Sequence, residues 1–108
     1  MVVKRDGELE PFDRQKVAVG IEKAIKNRPV SQEQVAQVVD RVEERLRRKG
    51  PEVTSQQVGI EVLASLAKLD QVAYMRFASV YKDFQGITDF ERELGDLQER
   101  GPVRRRSS

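Results

Sequence analysis

The sequence predicts a mainly α-helical α+β domain, with a small N-terminal β-hairpin packed on a four-helix bundle and a short C-terminal helix. An Asp6-Gly7 pair separates two short β-prone segments, and later segments carry apolar residues at helical spacing. Proline, glycine and capping residues divide those segments. The 108 residues suit one domain. We assign residues 1–99 to it and residues 100–108 to a disordered basic tail.

The first predicted element is the hairpin. Residues 2–5 and 9–12 are short strand candidates, and Asp6-Gly7 between them is a strong hairpin signal. Both central residues of a type I′ turn need a positive φ, which favours Asp-Gly at this position. We therefore predict a hairpin with a type I′ turn.

The first predicted helix begins after Asp13, whose carboxylate can cap it. One face is apolar, with side chains at i, i+4, i+7 and i+8, namely Val17, Ile21, Ala24 and Ile25. The helix is expected to end near Asn27, because Pro29 disfavours helical geometry at Arg28.

The second predicted helix opens with Ser31 and Gln34, which have the spacing of a capping box. Its apolar stripe consists of Val35, Val38, Val39, Val42 and Leu46. Cations crowd its C-terminal end, where they complement the helix dipole, and Gly50-Pro51 stops it. Its acidic side chains are expected to pair with neighbouring arginines on the helix surface.

Two more helices complete the bundle. The third is expected to begin at Thr54 or Ser55 and to bury Val58, Val62 and Leu66. The fourth is expected to begin at Asp70 and to end at Gly86. Its aromatic face is predicted to belong to the core and consists of Tyr74, Phe77, Ala78 and Tyr81.

A last short helix is predicted to open at Thr88, three residues before Glu91, and to carry Phe90, Leu94 and Leu97. Acidic residues near its start lack calcium-loop spacing, so we expect them to form a solvated face, consisting of Asp83, Asp89, Glu91 and Glu93. Gly101-Pro102 is expected to close the ordered part of the chain.

The composition excludes several kinds of site. The sequence contains no Cys and no His, so it offers no disulfide, no zinc–thiolate site and no Ser-His triad. We expect no catalytic residues, no metal ligands and no enzymatic activity. No apolar run approaches the ~18 residues that span a bilayer, and no signal peptide follows Met1. We therefore expect a cytoplasmic protein without membrane contacts.

The charge balance argues against a basic surface on the folded part. The sequence has 20 basic and 18 acidic residues. Residues 101–108 supply Arg104, Arg105 and Arg106 without any acid, so residues 1–100 have 17 basic against 18 acidic residues, a net charge of −1. We do not expect a nucleic-acid platform there. The tail could contact nucleic acid or could simply be solvated.

Cations cluster near the start of the first predicted helix. Lys4 and Arg5 alternate along the first strand, so we expect them to point to opposite sides, and one of them can meet Lys16. Lys16 lies in the first helical turn, whose N–H groups and positive dipole end favour an anion. Together these groups form a candidate cradle for a triphosphate.

Glu10 lies between these cations and could accept hydrogen bonds from ribose hydroxyls or an adenine amino group. The side chains of Val2 and Val3 could line the base. A different interpretation stays open, in which Lys4 and Arg5 are solvated hairpin cations and Glu10 is their cross-strand partner, worth under about 1 kcal/mol. Neither of the two common phosphate-binding glycine motifs occurs to decide between them.

The stretch V-V-K-R-D-G-x-x-E-P-F-D-R-x-K at residues 2–16 resembles the opening of the ATP-cone domain. This regulatory nucleotide-binding module occurs in many ribonucleotide reductase large subunits and in the NrdR family of bacterial repressors of their genes. Residues 28–31 (R-P-V-S) and 69–84 (L-D-x-V-A-Y-x-R-F-A-S-V-Y-x-x-F) resemble the repressor version. The resemblance runs from residue 2 to residue 97.

This resemblance implies a hairpin and a four-helix bundle that bind ATP or dATP as an effector. In such repressors the bound nucleotide sets the oligomeric state, and that state decides operator binding, so a homo-oligomer is implied here as well. The nucleotide contacts carry over by motif to Val3, Lys4, Arg5, Glu10, Lys16, Thr54 and Tyr81.

The sequence departs from the repressors in one respect. In the family that the chain resembles, this cone follows a zinc ribbon of four cysteines, whereas this chain has no Cys. We therefore expect that this chain binds no zinc. Contact with DNA is expected only through a zinc ribbon, which is absent from this chain. The chain is expected to be either a piece of a repressor or a free-standing cone.

Three hypotheses follow from the sequence. The first is a nucleotide-sensing domain that controls the oligomerisation of a repressor of ribonucleotide reductase genes. The second is a helical protein-interaction module that works without a ligand. The third, the cone of a reductase subunit, would require a long catalytic chain after Phe90.

Overall fold

The structure, a computed structural model, describes residues 1–100, apart from the side chain of Arg100. Its elements are, in chain order, β1 (Val2–Val3), β2 (Leu9–Glu10), α1 (Arg14–Ala24), α2 (Gln32–Arg48), β3 (Val53–Thr54), α3 (Ser55–Leu69), α4 (Gln71–Tyr81) and α5 (Ile87–Arg100). The predicted mainly α, α+β architecture is confirmed. Of the tail predicted at residues 100–108, Arg100 is the last residue of α5, and residues 101–108, with Arg104 to Arg106, lie outside the described residues.

The three strands form one small sheet in the order β2-β1-β3. Val2 of β1 pairs antiparallel with Glu10 on one side and parallel with Val53 on the other. Val2 and Val53 are buried, so their side chains anchor the hairpin to the bundle core. The sequence did not predict β3, because two residues are too few to show the alternation of a strand.

The hairpin turn differs from the predicted type I′ turn. Gly7 has a φ of 89°, whereas Asp6 is not at positive φ. The N–H of Gly7 donates to the carbonyl of Lys4 at 2.9 Å, and the N–H of Lys4 donates to the carbonyl of Glu8 at 2.8 Å. One left-handed glycine thus closes a three-residue loop with a bulge. The strand ends at Val3, and the predicted strand alternation does not extend to Arg5.

The bundle core consists of the apolar faces that helical spacing predicted. All five stripe residues of α2 are buried, and so are Ile21, Ala24 and Ile25 at α1 and Val62 and Leu66 of α3. Tyr74 of α4 is the largest fully buried side chain. Val17, Val58, Phe77 and Tyr81 are partly buried against this core. Within the described residues, no helix is both long and apolar enough to cross a membrane.

The predicted helix starts are confirmed for α1 to α4. Asp13 and Asp70 cap α1 and α4 through their carboxylates. Ser31 forms a capping box with Gln34 at the start of α2. Thr54, rather than Ser55, caps α3 and forms a second capping box with Gln57.

Two helices end before their predicted positions. α1 ends at Ala24, three residues short of Asn27, which has a φ of 62°. α4 ends at Tyr81 rather than at Gly86, because Asp83 adopts a φ of 54°. The N–H groups of Asp83 and Phe84 then donate to the carbonyls of Val80 and Ser79, which is a Schellman stop. An aspartate performs the role that sequence reasoning gave to the glycine.

The last helix is longer than predicted. α5 begins at Ile87, so Thr88 lies inside its first turn instead of capping it. The carboxylate of Asp89 accepts from the N–H of Gln85 at 2.7 Å. Glu93 is buried, 3% exposed, so assigning it to a solvated face was wrong. The error arose because its partners, Tyr74 and Lys82, belong to the preceding helix and its cap.

Two polar contacts tie the α1–α2 connection to α4. The guanidinium Nε of Arg28 donates to both carboxylate oxygens of Asp70, at 3.1 and 3.0 Å. Nη1 of Arg76 donates to the carbonyls of Ala24 and Lys26, at 3.2 and 2.6 Å. The bonds from Arg76 satisfy carbonyls at the end of α1. Both contacts fix this end of the helix against α4.

Asp70 should make stability depend on pH. Burial raises the pKa of Asp70, but hydrogen bonds from Ala73 and Arg28 outweigh burial and hold the pKa below its ordinary value of 3.8. A lowered folded-state pKa means that the stabilisation is present above the unfolded-state pKa and is lost as the pH falls through the folded-state pKa. Asp70→Asn should lower the free energy of unfolding by about 2 kcal/mol at pH 7.

Urea denaturation at pH 7 and at pH 3 would measure this effect. The difference between the wild type and the Asp70→Asn variant should shrink at the lower pH, because the Asp70 carboxylate of the unfolded chain, which has the higher pKa, then binds a proton and favours unfolding. The control is Asp40→Asn, at a side chain 69% exposed, which should change stability by less than about 1 kcal/mol. An equal Asp70→Asn effect at both pH values would contradict the assignment.

Candidate functional site

The hairpin brings residues from three strands together at the start of α3. Val3 pairs with Leu9 on β2 and with Thr54 on β3. Val3 is half-buried, and Thr54 is exposed at the first turn of α3. The hydroxyl oxygen of Thr54 accepts from the N–H of Gln57 at 3.0 Å. The structure therefore places Val3 and Thr54 side by side at one edge of the bundle.

Glu10 and Lys16 meet across the junction of β2 and α1. Nζ of Lys16 lies 3.6 Å from Oε1 of Glu10, and the side chain of Lys16 is 70% exposed. A pair this exposed contributes little to stability. Its geometry leaves most of the Lys16 side chain in solvent beside the hairpin.

The N-terminus of α1 is a weaker anion-binding site than the sequence suggested. Asp13 Oδ1 accepts from the N–H groups of Gln15 and Lys16, at 2.9 and 3.4 Å. The capping carboxylate is itself an anion at the positive end of the helix dipole. The helix N-terminus alone is therefore a weak site for a second anion.

Arg5 interacts electrostatically with Tyr81, although 75 residues separate them in the sequence. Burial raises the pKa of the Tyr81 hydroxyl, and the positive charge of Arg5 partly opposes this rise. Lys4 and Arg5 lie in the hairpin loop with exposed side chains. The hairpin thus presents a cation to the C-terminal end of α4.

Tyr81 is fixed against the start of α3. Its hydroxyl donates to the carbonyl of Gln56 at 2.7 Å. Its ring stacks on Phe77 with centroids 6.1 Å apart and an interplanar angle of 23°. A Cβ at Gly59 would lie 2.1 Å from Cζ of Tyr81, so only glycine leaves space for the ring in this position. Gly59 therefore determines where the Tyr81 side chain rests.

A cleft of about 370 Å³ lies between α1 and α4 and includes Tyr81. Gly20 and Lys23 follow Lys16 at i+4 and i+7, so all three lie on one face of α1. A Cβ at Gly20 would lie 3.4 Å from Cε1 of Phe77, at van der Waals contact with the ring. The cleft is lined by Gly20, Lys23, Ala24, Arg76, Phe77, Val80 and Tyr81.

The sequence did not predict that this cleft would form part of the candidate site. It assigned Phe77 and Tyr81 to the core, whereas both are only partly buried and form one wall of the cleft. The helical spacing of Lys16, Gly20 and Lys23 was a signal that could have revealed the other wall. Arg14, in the same turn as Lys16, contacts Asp40 and Glu43 of α2 instead. Hydrogen bonds to Asp40 and then Glu43 raise the pKa of Arg14.

Acidic side chains do not gather into a metal site in the part of the chain that the structure describes, where no group of three or more potential metal ligands is found. The features that distinguish this region are its cations, its two stacked aromatic rings and its small residues at Gly20 and Gly59.

The fold and this region define a class of protein, namely a small helical domain with an N-terminal hairpin and an interhelical cleft lined by cationic and aromatic side chains. The sequence matches the ATP cone domain over residues 1–87. The chain therefore belongs to the ATP-cone family, as its opening motif predicted.

Several similar proteins carry the name transcriptional repressor NrdR. The chain is 53% identical to that of Acidothermus cellulolyticus over 94 residues, which is 86% of this chain and 55% of the relative. It is 46% identical to that of Thermobifida fusca over 99 residues, 91% of this chain and 65% of the relative. For Geotalea uraniireducens the identity is 50% over 98 residues, with 90% and 65% covered. The chain thus spans between about half and two thirds of these relatives.

Gly59→Ala should test the packing of Tyr81. The added Cβ would overlap the ring, so the variant should lose about 1–3 kcal/mol of unfolding free energy. In a Tyr81→Ala background the same substitution should instead be neutral or stabilising by up to about 1 kcal/mol, because alanine favours a helix over glycine.

Urea denaturation of the four proteins in this cycle would reveal the change of sign. Gly95→Ala is the matched control, since a Cβ there meets nothing within 4 Å, and it should stabilise α5 slightly. If Gly59→Ala destabilised both backgrounds equally, the ring would not be the cause.

Proposed function

We propose that this chain is a nucleotide-sensing regulatory domain of a transcriptional repressor of ribonucleotide reductase genes, with ATP or dATP as its effector. The observation that carries the proposal is the ATP-cone match, together with the exposed hairpin cations Lys4 and Arg5 and the electrostatic interaction of Arg5 with Tyr81 in the wall of the α1–α4 cleft. The names of the similar proteins support the repressor context. Residues 1–99 would form the regulatory domain.

The phosphates would be held by Lys4, Arg5 and Lys16. Lys4 and Arg5 are exposed in the hairpin loop, and Lys16 has only a loose, exposed ion pair with Glu10. A phosphate could therefore attract these side chains without breaking a buried contact. Arg14, by contrast, is bonded to two carboxylates of α2 and is assigned a structural role.

The sugar and base would be contacted by Val3, Glu10, Thr54 and Tyr81. Glu10 can accept hydrogen bonds from ribose hydroxyls or from the adenine amino group. Thr54 accepts one bond from Gln57 and keeps its hydroxyl hydrogen for a ligand. Val3 and the stacked rings of Tyr81 and Phe77 supply apolar surface next to these polar groups. The site binds an effector, and no residue of it is assigned a catalytic role.

Nucleotide binding would bias self-association of the repressor in the cytoplasm. A coupling of about 1–3 kcal/mol is typical and would shift an oligomer equilibrium without remaking the fold. Recognition of DNA would require a zinc ribbon, whose cysteines this chain does not contain.

A helical interaction module that needs no ligand is the second candidate. It is favoured by exposed apolar side chains on α5, namely Ile87 at 72%, Phe90 at 40% and Leu94 at 46% exposure. Such residues could contact another protein whether or not a nucleotide is present.

Nucleotide should raise the melting temperature of this domain. Ligand at 100 times its dissociation constant adds about 2.7 kcal/mol of stability when only the folded state binds. The double variant Lys4→Ala, Lys16→Ala should lose the shift with ATP and with dATP but keep the melting temperature of the unliganded wild type. Thermal melts at millimolar nucleotide would measure both quantities.

Lys68→Ala is the control variant. Lys68 is an exposed lysine near the far end of α3, roughly 20 Å along the helix from Thr54, so it should keep the full shift. Identical wild-type melts with and without nucleotide would sink the proposal. An early unliganded melt of the double variant would assign the two lysines a structural role instead.

Sedimentation velocity separates the two candidate functions. A nucleotide-sensing domain should change its sedimentation coefficient when ATP or dATP is added, because the bound ligand shifts the oligomer equilibrium. Association that is the same with and without nucleotide would favour the ligand-independent module.

A further inference from the structure

The C-terminal turn of α4 contacts two different parts of the molecule. Tyr81, the last residue of α4, packs on α3 and lines the candidate cleft. The residues that follow it contact α5. Lys82 forms an ion pair with Glu93, and the ring of Phe84 meets that of Phe90 edge-on with centroids 4.8 Å apart. The Schellman stop at Asp83 fixes the backbone between these side chains.

Glu93 is the central contact of α5. Its Oε1 lies 2.9 Å from Nζ of Lys82, and its Oε2 accepts from the hydroxyl of Tyr74. The Glu93 side chain is 4% exposed, and Tyr74 is fully buried. A carboxylate this deeply buried depends on its cation and hydrogen-bond donors, so separating Lys82 from it strongly disfavours the docked helix.

Few of the described side chains of α5 are buried. Its main tertiary contacts are with α4. Among its described side chains only Glu93 and Leu97 are buried, while several apolar ones remain exposed. A helix with so small a buried face can dock and undock without unfolding the bundle.

We propose that the C-terminal turn of α4 couples nucleotide binding at the hairpin site to the docking of α5 through the Lys82–Glu93 contact. The inference rests on the proposed function. A ligand that contacts Arg5 and Tyr81 holds the last turn of α4 in the position from which Lys82 reaches Glu93. Ligand binding and α5 docking therefore favour each other, and the coupling is reciprocal.

Because the coupling is reciprocal, a change in the docking of α5 should change the affinity for ATP. The apparent affinity falls in proportion to the fraction of molecules in the binding-competent state. Glu93→Gln and Lys82→Met, which each remove one charge of the contact, should weaken ATP binding by at least about fivefold. Neither residue belongs to the proposed nucleotide contacts. Isothermal titration calorimetry well below the melting temperature of each variant would give the dissociation constants.

Glu91→Gln is the matched control, because Glu91 is an exposed acid on the same helix. It should leave the affinity for ATP at the wild-type value, which separates a general effect of charge on α5 from the contact itself. Lys82→Met retains most of the alkyl chain, so it tests the inference even if Glu93→Gln fails to fold.

Amide hydrogen exchange of the wild-type chain provides a test without substitutions. ATP should slow exchange across residues 90–99 of α5, although none of them is a proposed ligand contact. Wild-type affinity in both folded variants, or unchanged exchange in α5, would overturn the inference while leaving the proposed function intact. No binding of ATP or dATP by the wild type would overturn both.

Discussion

The parallel pairing of β1 with β3 is the constraint on which the candidate site depends. A two-stranded hairpin alone is marginally stable in water. Here β1 is the central strand of a three-stranded sheet, and its parallel neighbour leads directly into α3. The buried side chains of Val2 and Val53 join this sheet to the helical core. The pairing thereby sets the distance from the hairpin cations to α3, and through α3 to Tyr81.

Helices were predictable from the sequence because their signals are local. The stripe of α2 and the capping residues Ser31, Asp13 and Asp70 can be recognised within a few residues. Asp6-Gly7 predicted the hairpin correctly. Two-residue and three-residue loops both use a left-handed glycine, so the sequence did not determine the turn type. Strand β3 was missed because its pairing partner lies 51 residues away.

The candidate site was less accessible to local reasoning. The Glu10–Lys16 ion pair follows from short-range spacing, but the electrostatic interaction of Arg5 with Tyr81 is a tertiary effect without a local signal. Only the family resemblance suggested Tyr81 beforehand. Burial of Glu93 could not be predicted either, because a carboxylate on an amphipathic helix normally faces solvent, and its cation belongs to the cap of the preceding helix.

The position of the two tyrosines gives the molecule an internal optical reporter. The chain contains two tyrosines and no tryptophan. Tyr74 is enclosed in the core beside α5, and Tyr81 borders the cleft, where it interacts electrostatically with Arg5. The tyrosine absorption and emission of the unlabelled protein therefore originate at these two points alone. One ring samples the surroundings of the cleft and the other the contact with the last helix, so spectroscopy can follow both without an added fluorophore.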